Sequence, residues 1–91
     1  MAVEVRLPTV LRSHAGGASV VSVDGSTIGE VLGKLVAEYP GMAGQVLTDE
    51  GALHKFVNIY VDDDDVRYLQ GLDTPMPDGA EVSILPAVAG G

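Results

Sequence analysis

Apolar and polar residues alternate at the start of the chain, Val3, Val5 and Leu7 against Glu4 and Arg6. A period of two predicts a strand with one buried face. Pro8 has no amide hydrogen to give a ladder and ends it. Residues 19–23 form a second β-rich run, bracketed by Gly16-Gly17 and Asp24-Gly25. Those turn residues predict a hairpin, and hence antiparallel pairing of the first two strands. From Ser26 the period changes. Ile28, Val31, Leu32, Leu35, Val36 and Tyr39 recur at i, i+3, i+4, i+7, i+8 and i+11, one stripe of an amphipathic helix. Thr27 and Glu30 make a T-x-x-E capping box at its start, and Pro40-Gly41 stops it. Gly29 and Gly33 fall on the other face, where they weaken the helix slightly.

Residues 42–55 read as an irregular connection with a short helical turn around 43–47. "FVNIYV" then sets Val57, Ile59 and Val61 on one face and Phe56, Asn58 and Tyr60 on the other, an interior strand. Four aspartates, residues 62–65, lead by a tight turn into a short strand at "VRYL". A loop with Pro75, Pro77 and an Asp78-Gly79 turn precedes the last strand, "AEVSILP". In that strand Val82 and Ile84 share the core phase, so Leu85 points outward. A helix after a hairpin must cross one face of the sheet, and the next strand returns beside the first. The first and last strands then lie parallel in the middle. The predicted class is α+β: a β-grasp with a mixed four- to five-stranded sheet under one main helix. It divides into a domain at residues 1–86 and a mobile tail at 87–91.

Composition narrows the functions this fold could carry. Hydrophobic residues make up 46% and charged ones 20% of 91 residues, as in a folded soluble single domain. Thirteen acidic against five basic residues give a net charge of −8, which argues against a nucleic-acid partner and favours basic protein surfaces. Glu4, Arg6 and Pro8 interrupt the N-terminal apolar run, and no run reaches a membrane span, so a cytoplasmic protein with no membrane partner is expected. The chain has no cysteine, which excludes disulfides, thiolate metal sites and a cysteine nucleophile.

The remaining candidates for chemistry are few. Four consecutive carboxylates lack the alternate spacing and turn glycine of a calcium loop, and read as a solvated turn; no metal site is expected. His14 and His54 stand far apart in sequence with no nucleophile-like setting, and read as surface or boundary residues. Tyr39 and Tyr60 read as core-edge aromatics, since no basic groove accompanies them. No catalytic residue is identified, and no bound cofactor is expected.

The C-terminus is different in kind. Residues 86–91, "PAVAGG", carry no charged side chain, and could span about 20 Å if extended. Such a segment could thread a narrow channel in a partner. The α-carboxylate on Gly91 is ionised at neutral pH and a poor acyl donor until activated. Once activated, its carbonyl would be open to nucleophiles, because glycine carries no Cβ. The other reading of the tail is an ordinary frayed terminus.

The segments "VSILPAVAGG" and "DGAEV", with the strand–strand–helix–strand order, resemble the ubiquitin-like sulfur carriers of the ThiS/MoaD type. "LHKFVNIYVDDDDVRY" is most similar to the branch serving cysteine synthesis, the CysO carriers. The resemblance covers essentially the whole chain. It implies a protein that is a substrate of other enzymes and not itself a catalyst. Gly91 would be adenylated by an E1-like enzyme using ATP and converted to a thiocarboxylate, with Gly90, Ala89 and Val88 as the threading residues. Leu85 and Val66 would contact the partner. The implied partners are the E1-like adenylating enzyme and a sulfur acceptor, either a pyridoxal-phosphate-dependent cysteine synthase or a thiazole or thiosugar synthase. A zinc metalloprotease of the CysO pathway would release the product. The alternatives are a ubiquitin-like protein modifier and the small subunit of a molybdopterin-type synthase.

Overall fold

The computed structural model describes residues 2–48, 50–54, 57–77 and 79–86. Five strands, β1 (Ala2–Arg6), β2 (Val20–Asp24), β3 (Val57–Val61), β4 (Asp64–Asp65) and β5 (Glu81–Pro86), form one mixed sheet in the order β2-β1-β5-β3-β4. β1 pairs antiparallel with β2 and parallel with β5, and β3 runs antiparallel to both β5 and β4. The first and last strands therefore meet in the middle, as the hairpin-then-helix order predicts. The sheet is a five-stranded β-grasp.

One face of that sheet is apolar because each long strand alternates. Val3, Val5, Val21, Val23, Val57, Ile59, Val61, Val82 and Ile84 are all buried. The long helix covers them. It spans Ile28–Glu38 and is α2 in chain order, after a short helix α1 at Thr9–Arg12. Ile28, Val31, Leu32 and Leu35 on α2 are fully buried, while Val36 and Tyr39 pack on the core from its edge. Complete burial of side chains this size contributes about 1.5–3 kcal/mol each, which is why the stripe docks. Its start is capped as predicted, with Thr27 Oγ1 accepting from the Glu30 N–H at 3.2 Å. The reciprocal contact is displaced by one residue. The Glu30 carboxylate accepts from the N–H and the hydroxyl of Ser26, both at 2.8 Å. Those two bonds hold the Glu30 carboxyl below the ordinary glutamate range.

Gly29 does more than weaken α2. A Cβ there would lie 3.1 Å from the Leu72 carbonyl oxygen and 3.4 Å from its Cβ, so glycine lets the 3₁₀ turn Gly71–Asp73 pack close to the helix. The following loop is tied to the helix start, with the Ile28 N–H donating to the Thr74 carbonyl at 2.9 Å and the Met76 N–H to the Ser26 carbonyl at 2.9 Å.

Two local expectations are corrected, and a third is made more specific. β1 and β2 are not joined by a simple glycine turn: α1 and a 3₁₀ turn, Ser13–Ala15, lie between them, burying Leu11 and Ala15. Gly16 and Gly17, at φ +65° and +89°, end that segment and return the chain to β2. The short helical turn expected around 43–47 is a single one, with the Gln45 and Val46 N–H groups both donating to the Met42 carbonyl, at 3.0 and 3.3 Å. A 3₁₀ turn precedes it at Pro40–Met42, and the chain then folds back through a Leu47–Leu53 bridge and a bond from the Thr48 N–H to the Ala52 carbonyl at 2.8 Å. The short strand is Asp64–Asp65, while Val66–Tyr68 is a 3₁₀ turn. Pairing of Asp65 with Tyr60 overrides the poor strand propensity of aspartate.

Candidate functional site

The last two described residues of β5 are where the uncharged C-terminal segment begins. Leu85 lies in the outward phase of the strand and is 47% exposed, because Val82 and Ile84 take the two inward positions. Pro86 is the final rung, opposite Val57, with Leu85 opposite Asn58. Proline can occupy such a terminal position because no further ladder bond is asked of its nitrogen. Gly91, Gly90, Ala89 and Val88 lie outside the described residues.

Val66 does not stand beside Leu85 as a surface contact. Its side chain is completely buried, because the 3₁₀ turn directs it into the core instead of leaving it on a strand face. The neighbouring exposed apolar side chains are Tyr68 and Leu69, 88% and 48% exposed. Another apolar surface touches Pro86 itself: Pro8, Val10, Leu11, His54 and Val57 join it in lining a groove of about 240 Å³. Periodicity does not mark this groove, since Val10 and Leu11 lie between Pro8 and the Gly16-Gly17 turn, where the pattern predicts no element.

The other sequence candidates are scattered. His14 Nε2 lies 3.1 Å from Gln45 Nε2, and Gln45 and His54 both line the groove beside Pro86. Tyr60 sits half-buried on the open face of the sheet, whereas Tyr39 packs against the core. Within the aspartate run, Asp62 adopts φ +56° and its Oδ1 accepts from the Glu81 N–H at 3.2 Å. Asp65 Oδ1 accepts from the Arg67 N–H at 2.9 Å. The Asp65 carboxylate thus closes a local turn and the Asp62 carboxylate ties the run to the start of β5, while Asp63 and Asp64 are exposed. Among the described residues, no group of three or more His, Asp or Glu side chains could hold a metal ion, and no helix is long and apolar enough to cross a membrane.

Arg67 was the functional-site neighbour that sequence reading missed. Its guanidinium donates to Asn58 Oδ1 at 2.8 Å and to the carbonyls of Val57 and His54 at 2.7 and 3.0 Å. Those partners lie 9 to 13 positions away, so no local periodicity marks them.

The chain shares 50% identity with the Mycobacterium tuberculosis sulfur carrier protein CysO, over the full length of both. It is 38% identical to small archaeal modifier protein 3 of Haloferax volcanii, again over both full lengths. A chain in the crystal structure of the Amycolatopsis orientalis BexX/CysO complex superposes with a TM-score of 0.88 at 42% identity, covering 99% of this chain and 100% of that one. The ThiS family model matches residues 5–91, from inside β1 through Gly91. The chain belongs to the ThiS family.

Proposed function

We propose that this protein is a sulfur carrier whose working group is the carboxyl of Gly91. The observation that carries the reading is the full-length match to CysO, in a family model that runs through Gly91. The chain is a small carrier and not a catalyst. An E1-like enzyme acts first: a Gly91 carboxylate oxygen attacks the α-phosphorus of ATP, releasing pyrophosphate and leaving an acyl-adenylate. A sulfur donor then displaces AMP from the carbonyl, and the thiocarboxylate results. This route suits a chain without cysteine, because the transferable sulfur sits on the terminal acyl group. Glycine at 90 and 91 gives the activating enzyme access to a carbonyl with no side chain beside it.

The β-grasp domain is the handle. Leu85, exposed beside the start of the tail, is the contact for partners, and Val88, Ala89 and Gly90 are the residues that thread. The acidic charge of −8 favours partners with basic docking faces. The similarity to CysO favours an activated serine on a pyridoxal-phosphate-dependent synthase as acceptor, with a metalloprotease releasing cysteine, all in the cytoplasm.

Intact-mass analysis after incubation with an E1-like enzyme, ATP and a sulfide source tests the reading. The expected product shows exchange of one oxygen for sulfur, mapped to Gly91. A persistently unmodified carboxylate with an enzyme competent on other carriers would refute it. Isopeptide adducts on lysines without thiocarboxylate would instead mark a protein modifier.

A further inference from the structure

We propose that Arg67 is a positioning residue that fixes the point where the tail leaves the sheet, by standing in for a strand that β3 lacks. The edge strand β4 pairs only with Tyr60 and Val61. Among the described residues, Val57 and Asn58, at the start of β3, pair with no strand on that side. An unpaired backbone edge of this kind needs another partner for its carbonyls. The Arg67 guanidinium supplies it. Nη2 bridges the carbonyls of Val57 and His54 at 2.7 and 3.0 Å, and Nη1 reaches Asn58 Oδ1 at 2.8 Å. Arg67 is itself tied down, its N–H donating to Asp65 Oδ1 at 2.9 Å.

The residues held this way are the ones opposite the end of β5. Val57 faces Pro86 and Asn58 faces Leu85, whereas β1 accompanies β5 only as far as Ser83. Among the described residues, β3 is therefore the one strand paired with Leu85 and Pro86. The Val57 N–H donates to the His54 carbonyl at 3.2 Å, so both backbone polar groups of Val57 are engaged away from β5. Pro86 has no N–H to contribute. The last rung thus keeps its place because β3 is gripped from its outer side. A planar fork spans these three acceptors, and a lysine ammonium, with its donors on one nitrogen, does not.

This inference rests on the sulfur-carrier reading, and two measurements separate failure of one from failure of the other. The first uses the carrier alone: amide exchange in wild type, Arg67→Ala and Arg67→Lys. Exchange at Asn58 and Leu85 should accelerate at least about tenfold in Arg67→Ala, given what hydrogen bonds to a charged group contribute, while Val5 and Ile59 change little. The second is ATP–pyrophosphate exchange by an E1-like enzyme. For Arg67→Ala the KM for the carrier should rise about tenfold with kcat within about twofold, and Arg67→Lys should fall between. Unchanged exchange at Leu85 overturns the proposal, and so does an unchanged KM, even if the melting temperature falls. Absence of pyrophosphate exchange with wild type overturns the sulfur-carrier reading on which it depends.

Discussion

The two ends of β5 are built differently. At its start, Glu81 has β1 on one side, through its register with Glu4. On the other side the Asp62 N–H donates to its carbonyl at 2.7 Å and Asp62 Oδ1 accepts from its N–H at 3.2 Å. Arg6 Nε adds a contact to its carboxylate at 2.9 Å. At its end, Leu85 and Pro86 keep β3 alone, and Leu85 is half in solvent. The strand is anchored at its start and thinly flanked where the uncharged C-terminal segment begins. Stability and presentation are thus separated along six residues.

Substitutions along the strand test that separation, beginning with the largest effect. Ile84 is 1% exposed, and Ile84→Ala should cost about 2–5 kcal/mol in urea unfolding, from lost burial and the cavity left behind. A smaller cost would mean that the core relaxes around this end of the strand. Asp62→Ala removes a bond to the strand start and puts alanine at a positive φ, so a loss of about 1–2 kcal/mol is expected by the same assay. Arg6→Ala should cost about 0.2–1 kcal/mol, because the Arg6 side chain is 61% and the Glu81 side chain 38% exposed, and the difference should shrink in high salt. Leu85→Ser should change unfolding by no more than about 0.5 kcal/mol, yet weaken binding to an activating enzyme in a titration. If Leu85→Ser unfolds the protein as readily as Ile84→Ala, the two ends of β5 are not distinct.

Most of this architecture was legible because it is written in short periods. Val82 and Ile84 alternate, Ile28 through Leu35 follow a helical stripe, and Thr27 with Glu30 marks the helix start. What escaped depends on shorter signals or on distant partners. Leu7, Leu11 and Ala15 are spaced by four and all buried, a helical hint that the adjacent glycine pair obscured. Val66 sits in a β-branched and aromatic sequence that suits a strand, yet the ladder is made by the aspartates before it. Propensity marks Gly29 only as a weak helix residue, because the Leu72 backbone that packs against it is far away in sequence. Arg67 gave no sign at all, since its role exists only once β3 has an open edge.

The sheet order also bears on how the chain is made. Synthesis delivers β1, β2, α2 and β3 before the strand that must lie between β1 and β3. Until β5 arrives, the nascent chain carries two strands with a missing neighbour, and the helix has only part of its floor. Closing the domain is then a single long-range event joining the first and last strands, slow by topology and exposed to misassembly while it waits. A product truncated before Glu81 would not be a smaller carrier but an open-edged, aggregation-prone fragment. Native structure and a complete final strand are therefore acquired together.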